Sequence, residues 1–365
     1  MNYKTVHILL FGTGNVGNTF IQQFKESVEF IKNSSGIKLK LIGIANSQKC
    51  WFQKDGLTDS EEALVLLENY EISEVINLVK SHNLENLIAI DATASKELSD
   101  NYPYLINNGF HIVAANKIAN TNSHAEYRNL RDVLKENNKI FKYETNVGAG
   151  LPVIETIKTL YESGDQVTKI RGVFSGSLSY IFNTFCQETV SFSAVVKKAL
   201  RLGYTEPDPR IDLSGKDVAR KLLILAREIG LSFEFDQIKI KSLLIPSLEN
   251  NTSKNWFLRN MSELDKPFET AKITQKPNHV LRYIGELDVH NKTLEVKLIS
   301  TPENSTLGQL TGADTIFEIF TTSYRQTPLV IRGAGAGKEV TARGVLSDVI
   351  KISKELKHLK MANAS

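Results

Sequence analysis

A glycine-rich turn follows the first apolar segment of the chain. The turn comes directly after the run TVHILLF and opens an amphipathic helical pattern. Its residues are Gly12, Thr13, Gly14, Asn15, Val16 and Gly17. The first glycine suits a tight turn, the second lets the backbone approach a pyrophosphate, and the third permits close packing of helix on strand. The free N–H groups of the helix N-terminus suit phosphates. The spacing therefore predicts a dinucleotide-binding unit, the alternative being a plain glycine turn.

The first 150 residues alternate between short apolar runs and helical patterns. The runs are TVHILLF, KLKLIGIAN, NLIAID, GFHIVAAN and KIFKYET. Helical patterns lie near residues 15–31, 61–82, 96–107 and 121–137. Strands separated by helices and apolar on both faces are typical of parallel βαβ units. The pattern predicts an α/β domain over residues 1–150, with a doubly wound parallel sheet of the Rossmann type.

The order of predicted elements changes over residues 151–335, where helical patterns precede the strand-like runs TLEVKLIS and IFEIFTT. This order favours a second, α+β domain that binds substrate and carries a mixed or antiparallel sheet. The segment 250–278 is expected to form insertions and short helices. An exposed face or edge of such a sheet needs cover, so we expect a homodimer formed through this domain. The amphipathic C-terminal helix, about 336–365, is expected to pack back on the first domain.

Composition excludes several classes of protein. Lys and Arg number 44 and Asp and Glu 41 in 365 residues, a net charge of +3 that argues against nucleic acid as a partner. The longest apolar runs are strand-sized, so we expect no membrane partner, no signal peptide and a cytoplasmic location. Cys50 and Cys186 lie far apart without the neighbours of a metal or redox site, and we expect two reduced thiols.

The end of the second predicted strand bears on the cofactor. An NAD site often places Asp or Glu there for the ribose 2′-hydroxyl, but this strand continues as Asn46, Ser47, Gln48 and Lys49. Ser47 and Lys49 could receive a 2′-phosphate, which favours NADP over NAD. The alternative is that both are solvated turn residues.

Two more strand ends carry polar residues. Thr93 and Ala94 belong to the segment DATAS after NLIAID, and Lys117 ends the segment AANK after GFHIVAAN. The carboxyl ends of parallel strands are where ligands bind in such sheets. Lys117 is therefore a candidate site residue, although an isolated lysine at a strand end is also an ordinary surface residue.

The segment GYTEPDPR and the helix after it bring charged residues together. Two prolines bias Glu206 and Asp208 toward extended geometry, which predicts a rigid loop. Ser214 is the expected N-cap of the next helix, on which Asp217 and Lys221 share a face. Taken alone, Asp217 and Lys221 are most simply a surface ion pair.

These segments give the chain a close resemblance to homoserine dehydrogenases along nearly its whole length. The matching pieces are FGTGNVG, DATAS, AANK, ETNVGAGLP at 144–152, FSGSLSYIFN at 174–183, GYTEPDPRIDLSGKDVARK at 203–221 and GAGAGKEVTARGVLSDV at 333–349. The resemblance implies reversible reduction of L-aspartate 4-semialdehyde to L-homoserine with NADPH or NADH, on the route to threonine, methionine and isoleucine.

The resemblance also implies roles for individual residues. Lys221 transfers the proton, and Glu206 and Asp217 hold the amino end of the substrate. Lys117, at the sheet edge, is the second catalytic candidate and the alternative proton donor; we expect it to contribute orientation and electrostatics instead. The glycine turn, Thr93, Ala94, Lys117 and Gly337 join Ser47 and Lys49 as cofactor-binding residues. A monovalent cation such as sodium is held by main-chain oxygens, with Glu144. Its implied residues are Glu144, Val147, Ala149 and Leu151. The alternative for that loop is a hinge between domains.

Two other functions stay open at this point. One is a related NAD(P)-dependent dehydrogenase of another small aldehyde or hydroxy acid, against which the two carboxylates and the lysine argue. The other is a nucleotide-binding sensor without turnover, which would need no Lys221. The chain stops soon after GVLSDVIKISKEL, so we expect a monofunctional form without an ACT-type regulatory domain or a fused aspartokinase.

Overall fold

The computed structural model describes residues 3–57, 65–249 and 253–362. The chain forms two compact units. The first comprises the described residues up to Gly150 and those from Gly337 onward, and the second runs from Leu151 to Ala336. In the described ranges no helix is both long enough and apolar enough to cross a membrane.

The first unit is built on a seven-stranded sheet. Its strands are β1 (Lys4–Phe11), β2 (Ile37–Ala45), β3 (Lys49–Phe52), β4 (Val65–Glu68), β5 (Leu87–Asp91), β6 (Phe110–Ala114) and β7 (Phe141–Lys142). Its helices up to residue 150 are α1 (Asn15–Ser35), α2 (Ile72–Ser81), α3 (Lys96–Asp100), α4 (Tyr102–Asn107), α5 (Ile118–Thr121) and α6 (His124–Glu136). The strand order is β4-β3-β2-β1-β5-β6-β7. In this order, the five strands β2, β1, β5, β6 and β7 are parallel to one another. The predicted doubly wound sheet is confirmed.

One edge of this sheet differs from the prediction. Of the predicted helix 61–82, residues 61–64 lie outside the described part of the chain, 65–68 form β4, and the helix begins only at Ile72. The segment VLLE pairs antiparallel with β3, which itself pairs antiparallel with β2. Tertiary pairing thus overrides the local pattern. At the other edge, KIFKYET contributes only two strand residues before a 3-10 turn at Glu144–Asn146.

The second unit is built on a six-stranded mixed sheet. Its helices are α7 (Val153–Glu162), α8 (Gly176–Gln187), α9 (Phe192–Arg201), α10 (Arg210–Leu213), α11 (Lys216–Glu228), α12 (Pro246–Glu249), α13 (Lys254–Asn260) and α14 (Asp265–Ile273). Its strands are β8 (Val167–Val173), β9 (Lys239–Ile240), β10 (His279–Asp288), β11 (Thr293–Pro302), β12 (Thr315–Thr321) and β13 (Leu329–Gly333). The order is β13-β12-β8-β10-β11-β9, antiparallel except for β11 with β9. This confirms the predicted α+β domain with a mixed sheet.

The last helix, α15 (Lys338–Ala362), belongs to the first unit. Its buried Ala342, Val345 and Val349 join a core formed with α1 and the central strands. The apolar side of α15 and the apolar side of α1 therefore bury the same face of the first sheet.

The start of α11 also differs from the prediction. The N-cap is Gly215, at φ 72°, and not Ser214, which ends the short helix α10. A Cβ at Gly215 would overlap the hydroxyl of Tyr283, so glycine is required both by the left-handed backbone and by the close approach. The signal for Ser214 was misleading because the sequence pattern did not reveal α10.

Candidate active site

The glycine turn links β1 to α1 as its spacing requires. Gly12 has φ 107°, and its N–H donates to the carbonyl oxygen of Ala45 at 2.7 Å. A Cβ on Gly12 would lie 2.7 Å from the carbonyl oxygen of Ala92, and one on Gly17 would overlap the carbonyl oxygen of Gly12. Side chains at these two positions would separate β1 from β5 and α1 from β1.

Gly14 is open where the other two glycines are crowded. It is the N-cap of α1, no side chain caps the helix, and a Cβ there would meet nothing within 4 Å. The first helical N–H groups, from Asn15 to Gly17, have no partner within the helix. With Thr13 before them, these residues form a backbone cradle that fits a pyrophosphate.

A cavity of about 490 Å³ opens beside this turn, at the carboxyl edge of the sheet. It contains four of the predicted cofactor-binding residues: Gly12, Ser47, Thr93 and Ala94. The other lining residues are Phe11, Ala45, Asn46, Tyr70, Glu71, Ile72, Ser73, Ser95, Glu97, Leu98, Asn101 and Tyr104. Polar side chains and apolar or aromatic ones contribute about equally to this lining, which suits a small molecule with both polar and apolar parts.

Outside the glycine turn, three predicted cofactor residues do not line this cavity. The ammonium group of Lys49 lies 2.8 Å from the carboxylate of Glu68 on the neighbouring strand β4. Lys117 lies at the end of β6, as the N-cap residue of α5. Gly337, at φ 125°, directly precedes α15.

The buried carboxylate of Asp91, for which no role was predicted, holds the strand ends together. Asp91 is 2% exposed and ends β5. One of its oxygens accepts from the N–H and hydroxyl of Thr93 at 2.8 and 2.7 Å, and the other from Tyr102 Oη at 2.7 Å and Asn116 Nδ2 at 3.0 Å. Asp91 thus fixes both Thr93 on the cavity wall and the residue before Lys117. The available signal was a carboxylate closing a fully apolar strand.

In the second unit, Lys221 is not a surface residue. It is 8% exposed, and its Nζ lies 2.8 Å from a carboxylate oxygen of Asp217 and donates to the main-chain oxygen of Phe174 at 2.8 Å. The ion pair considered above does form, but its lysine is buried and does not lie on the surface. The sequence predicted one buried face for α11, but most of the helix is buried. It contacts β10 and β11 and also α7.

Two further carboxylates lie with Asp217. The N–H of Glu206 donates to a carboxylate oxygen of Asp212 at 2.9 Å. Burial raises the pKa of Asp212, and the neighbouring carboxylates Glu206 and Asp217 raise it further. The structure thus brings together the predicted Glu206, Asp217 and Lys221, and adds Asp212. This residue was visible as the third acid of GYTEPDPRIDLSGKD, but no spacing rule singled it out.

The implied cation loop has an unusual backbone. Gly148 and the non-glycine Ala149 both have positive φ, at 77° and 52°. The N–H of Glu144 donates to a carboxylate oxygen of Asp348 on α15 at 2.9 Å. Glu144, Val147 and Ala149 lie in the first unit, and Leu151 is the first residue of the second. Among the residues that the structure describes, no cluster of three or more His, Cys, Asp or Glu side chains could hold a metal ion. That observation concerns side chains, whereas the implied ligands are mainly main-chain oxygens.

Comparison with known proteins agrees with this geometry. Residues 12–144 match the family model described as homoserine dehydrogenase, NAD binding domain. Residues 152–350 match the family model described as homoserine dehydrogenase. The first match lies within the first unit, and the second covers nearly all of the second unit and the first half of α15.

Individual relatives resemble nearly all of this chain. A chloroplastic bifunctional aspartokinase/homoserine dehydrogenase 1 from Zea mays is 37% identical over 361 residues, which is 98% of this chain and 39% of that protein. The chain spans about two fifths of the length of the curated relatives it matches. A solved structure of a protein of unknown function from Candida auris has a TM-score of 0.87 and 33% identity, covering 96% of this chain and 99% of that one.

A hyperthermophilic archaeal homoserine dehydrogenase, solved in complex with NADPH, shares the fold. Its TM-score is 0.72 at 21% identity, covering 96% of this chain and 98% of that one. With a family model matched over 152–350 and the cofactor-domain model over 12–144, the predicted family is confirmed. The chain belongs to the homoserine dehydrogenase family.

Proposed function

We propose that this chain catalyses the reversible NAD(P)H-dependent reduction of L-aspartate 4-semialdehyde to L-homoserine. The observation that carries the proposal is the buried ammonium group of Lys221, which lies between Asp217 and the carbonyl of Phe174. The neighbouring carboxylates Glu206 and Asp212 add acidic groups beside Asp217. Family membership supports the same reaction.

The first unit would hold the cofactor. The backbone at Gly14 and the N-terminus of α1 would receive the pyrophosphate, and the cavity with Tyr70, Ile72 and Leu98 would receive the adenosine half. When bound there, the nicotinamide would supply the hydride chemistry of the reaction in both directions. The NADP preference expected from Ser47 and Lys49 is part of this proposal. It requires the ammonium group of Lys49 to leave Glu68 and bind the 2′-phosphate instead.

The carboxylates would recognise the amino end of the substrate. An ammonium group carries a positive charge that Glu206, Asp217 and Asp212 can neutralise by charge-assisted hydrogen bonds. This requirement distinguishes homoserine from a hydroxy acid without an amino group. It also argues against the alternative of a dehydrogenase for a simple aldehyde or hydroxy acid.

Lys221 would supply the proton. An ammonium group has three donors, of which Asp217 and Phe174 occupy two. The third can point to the carbonyl oxygen, stabilise the negative charge that develops there and protonate it. In the oxidation direction the neutral amine takes the proton back. Lys117, fixed by the adjoining Asn116, would orient cofactor and substrate.

Two accessory features belong to the proposal. A monovalent cation such as sodium would bind main-chain oxygens of the positive-φ turn at Val147 and Ala149, with Glu144. A homodimer would form through the second unit, whose sheet carries partly exposed charged side chains such as Lys169 and Lys297. Analytical ultracentrifugation at micromolar concentration tests the dimer, which a monomer there would contradict. Activity in sodium against choline salts tests the cation.

A spectrophotometric assay of reduced nicotinamide tests the function. We expect oxidation of L-homoserine with NAD or NADP at least roughly 100-fold faster, as kcat/KM, than oxidation of 4-hydroxybutyrate, which lacks the amino group. Equal rates with both compounds would favour the simpler dehydrogenase. Tight dinucleotide binding without turnover of either compound would favour the sensor.

A further inference from the structure

The cavity of the first unit has acidic side chains and no basic ones. Glu71 and Glu97 line it, and the described lining contains no Lys or Arg. A 2′-phosphate carries up to two negative charges and needs a cation or several donors at the end of the second strand. An NAD ribose, with its neutral 2′-hydroxyl, has no such need.

Lys49 is the basic residue that follows the cavity wall in sequence, but its ammonium group pairs with Glu68. The side-chain oxygen of Asn46 accepts the N–H groups of Gln48 and Lys49 at 2.9 and 2.8 Å, which fixes the turn that starts at the cavity wall. Lys49 follows two residues after Ser47, which lines the cavity. Its Nζ lies 2.8 Å from the Glu68 carboxylate.

The register of the strands sets this ion pair. Lys49 and Glu68 are directly opposite partners in the antiparallel pair of β3 and β4. Their side chains are 43% and 60% exposed, so water screens the pair and the two groups can separate at little cost. The hydrogen bond and charge of Lys49 also lower the pKa of Glu68, so the pairing favours the charged form of this carboxylate.

We infer that Glu68 is a specificity-determining residue, which competes with the 2′-phosphate of NADP for the ammonium group of Lys49 and so sets the balance between NADP and NAD. The inference rests on the proposed function only in taking a nicotinamide dinucleotide as the ligand. The carboxylate of Glu68 penalises NADP because Lys49 must leave it. The 2′-hydroxyl of NAD does not compete for Lys49.

Binding measurements on the full chain test this inference without turnover. We would titrate wild type, Glu68→Gln, Lys49→Met and the double variant with NADPH and NADH, following the fluorescence of the reduced nicotinamide. Glu68→Gln should tighten NADPH about fivefold and leave NADH within twofold. Lys49→Met should weaken NADPH about tenfold. In the Lys49→Met background, Glu68→Gln should have little further effect.

Asp100→Asn is the matched control. Asp100 pairs with Lys96 at 2.6 Å beside the cavity residues Glu97 and Asn101, so this variant removes one negative charge near the same cavity without freeing Lys49. Equal tightening of NADPH by Glu68→Gln and Asp100→Asn would overturn the inference in favour of a general charge effect. An unchanged ratio of NADPH to NADH affinity in Lys49→Met would overturn it too. If wild type bound neither dinucleotide, the proposed function would fail with it.

Discussion

Lys221 donates a 2.8 Å hydrogen bond from its Nζ to the main-chain oxygen of Phe174, which follows β8 directly. The position of that oxygen depends on the ring of Phe174. The ring stacks on Phe317 with centroids 4.7 Å apart, and it fills space that side chains at Gly172 and Gly285 would occupy. Two glycines in neighbouring strands thus determine where the proposed proton donor lies.

Removal of the Lys221 amine should abolish proton transfer. Lys221→Met is expected to lower kcat by roughly two or more orders of magnitude, the usual scale of acid-base catalysis. Cofactor binding, measured by fluorescence titration, should stay near the wild-type value because Lys221 belongs to the second unit. Lys216→Met, an exposed lysine on the same helix, is the matched control and should keep its rate. A Lys221→Met enzyme with near-normal kcat would exclude this residue as the acid.

The packing of the Phe174 ring beside Gly172 and Gly285 can be tested separately. A Cβ at Gly285 would lie 2.7 Å from the Phe174 ring, so Gly285→Ala should displace the ring and the carbonyl that holds Lys221. We expect overpacking to cost about 1–3 kcal/mol of unfolding free energy. We also expect kcat to fall more than KM for homoserine changes. Adding Phe174→Leu should recover much of the activity, whereas a loss confined to stability would argue against a positioning role.

Asp91 should support both stability and cofactor binding. Asp91→Asn replaces an acceptor of four hydrogen bonds by a group that donates on one side, and should cost about 2 kcal/mol of unfolding free energy. Tyr102→Phe removes only one of the four bonds and should cost less. Urea denaturation and NADH titration measure the two effects. Equal effects of the two variants on both quantities would show that Thr93 and Asn116 do not depend on Asp91.

Stability should fall in mild acid because of His111. Burial lowers the pKa of this histidine to about 4, with a smaller contribution from Lys139, and its Nδ1 accepts the N–H of Ile140 at 3.0 Å. Since the folded pKa is below the unfolded value of 6.5, the contribution is complete above pH 6.5. It is lost as the pH falls from 6.5 toward 4, by at most about 3 kcal/mol.

His111→Asn offers a control that cannot titrate, since its amide oxygen can accept from Ile140. Denaturation curves of both proteins at several pH values between about 7 and 4 should show a smaller decrease for the variant. Parallel decreases would mean that other groups control the acid sensitivity.

The sequence predicted local features that depend on neighbouring residues. The glycine turn was predictable because its glycines serve purposes fixed by local geometry: a tight turn, close approach of a ligand to the backbone, and close packing of helix on strand. The hairpin of β3 and β4 was not, because VLLE is compatible with helix and strand and only its partner β3 decides. Ser214 was misassigned for a similar reason, since α10 occupies the position in front of it.

The candidate site was predictable to a similar extent. Motif residues such as Glu206, Asp217 and Lys221 stood out through the family resemblance, and the structure brings them together. Asp212, Asp91 and the carbonyl of Phe174 did not stand out. Their roles come from distances between segments far apart in the chain, which spacing along one helix or loop cannot show.

The most direct test of the account is isotopic. In the proposed reaction, oxidation of L-homoserine that carries two deuterium atoms at C4 would transfer one of them, with its electron pair, to the nicotinamide, while Lys221 would take the hydroxyl proton. Mass spectrometry of the reduced cofactor should then show one deuterium on the nicotinamide ring, and the aldehyde product should keep the other. Reduced cofactor without deuterium, or no reduced cofactor with homoserine and either dinucleotide, would contradict the proposed reaction.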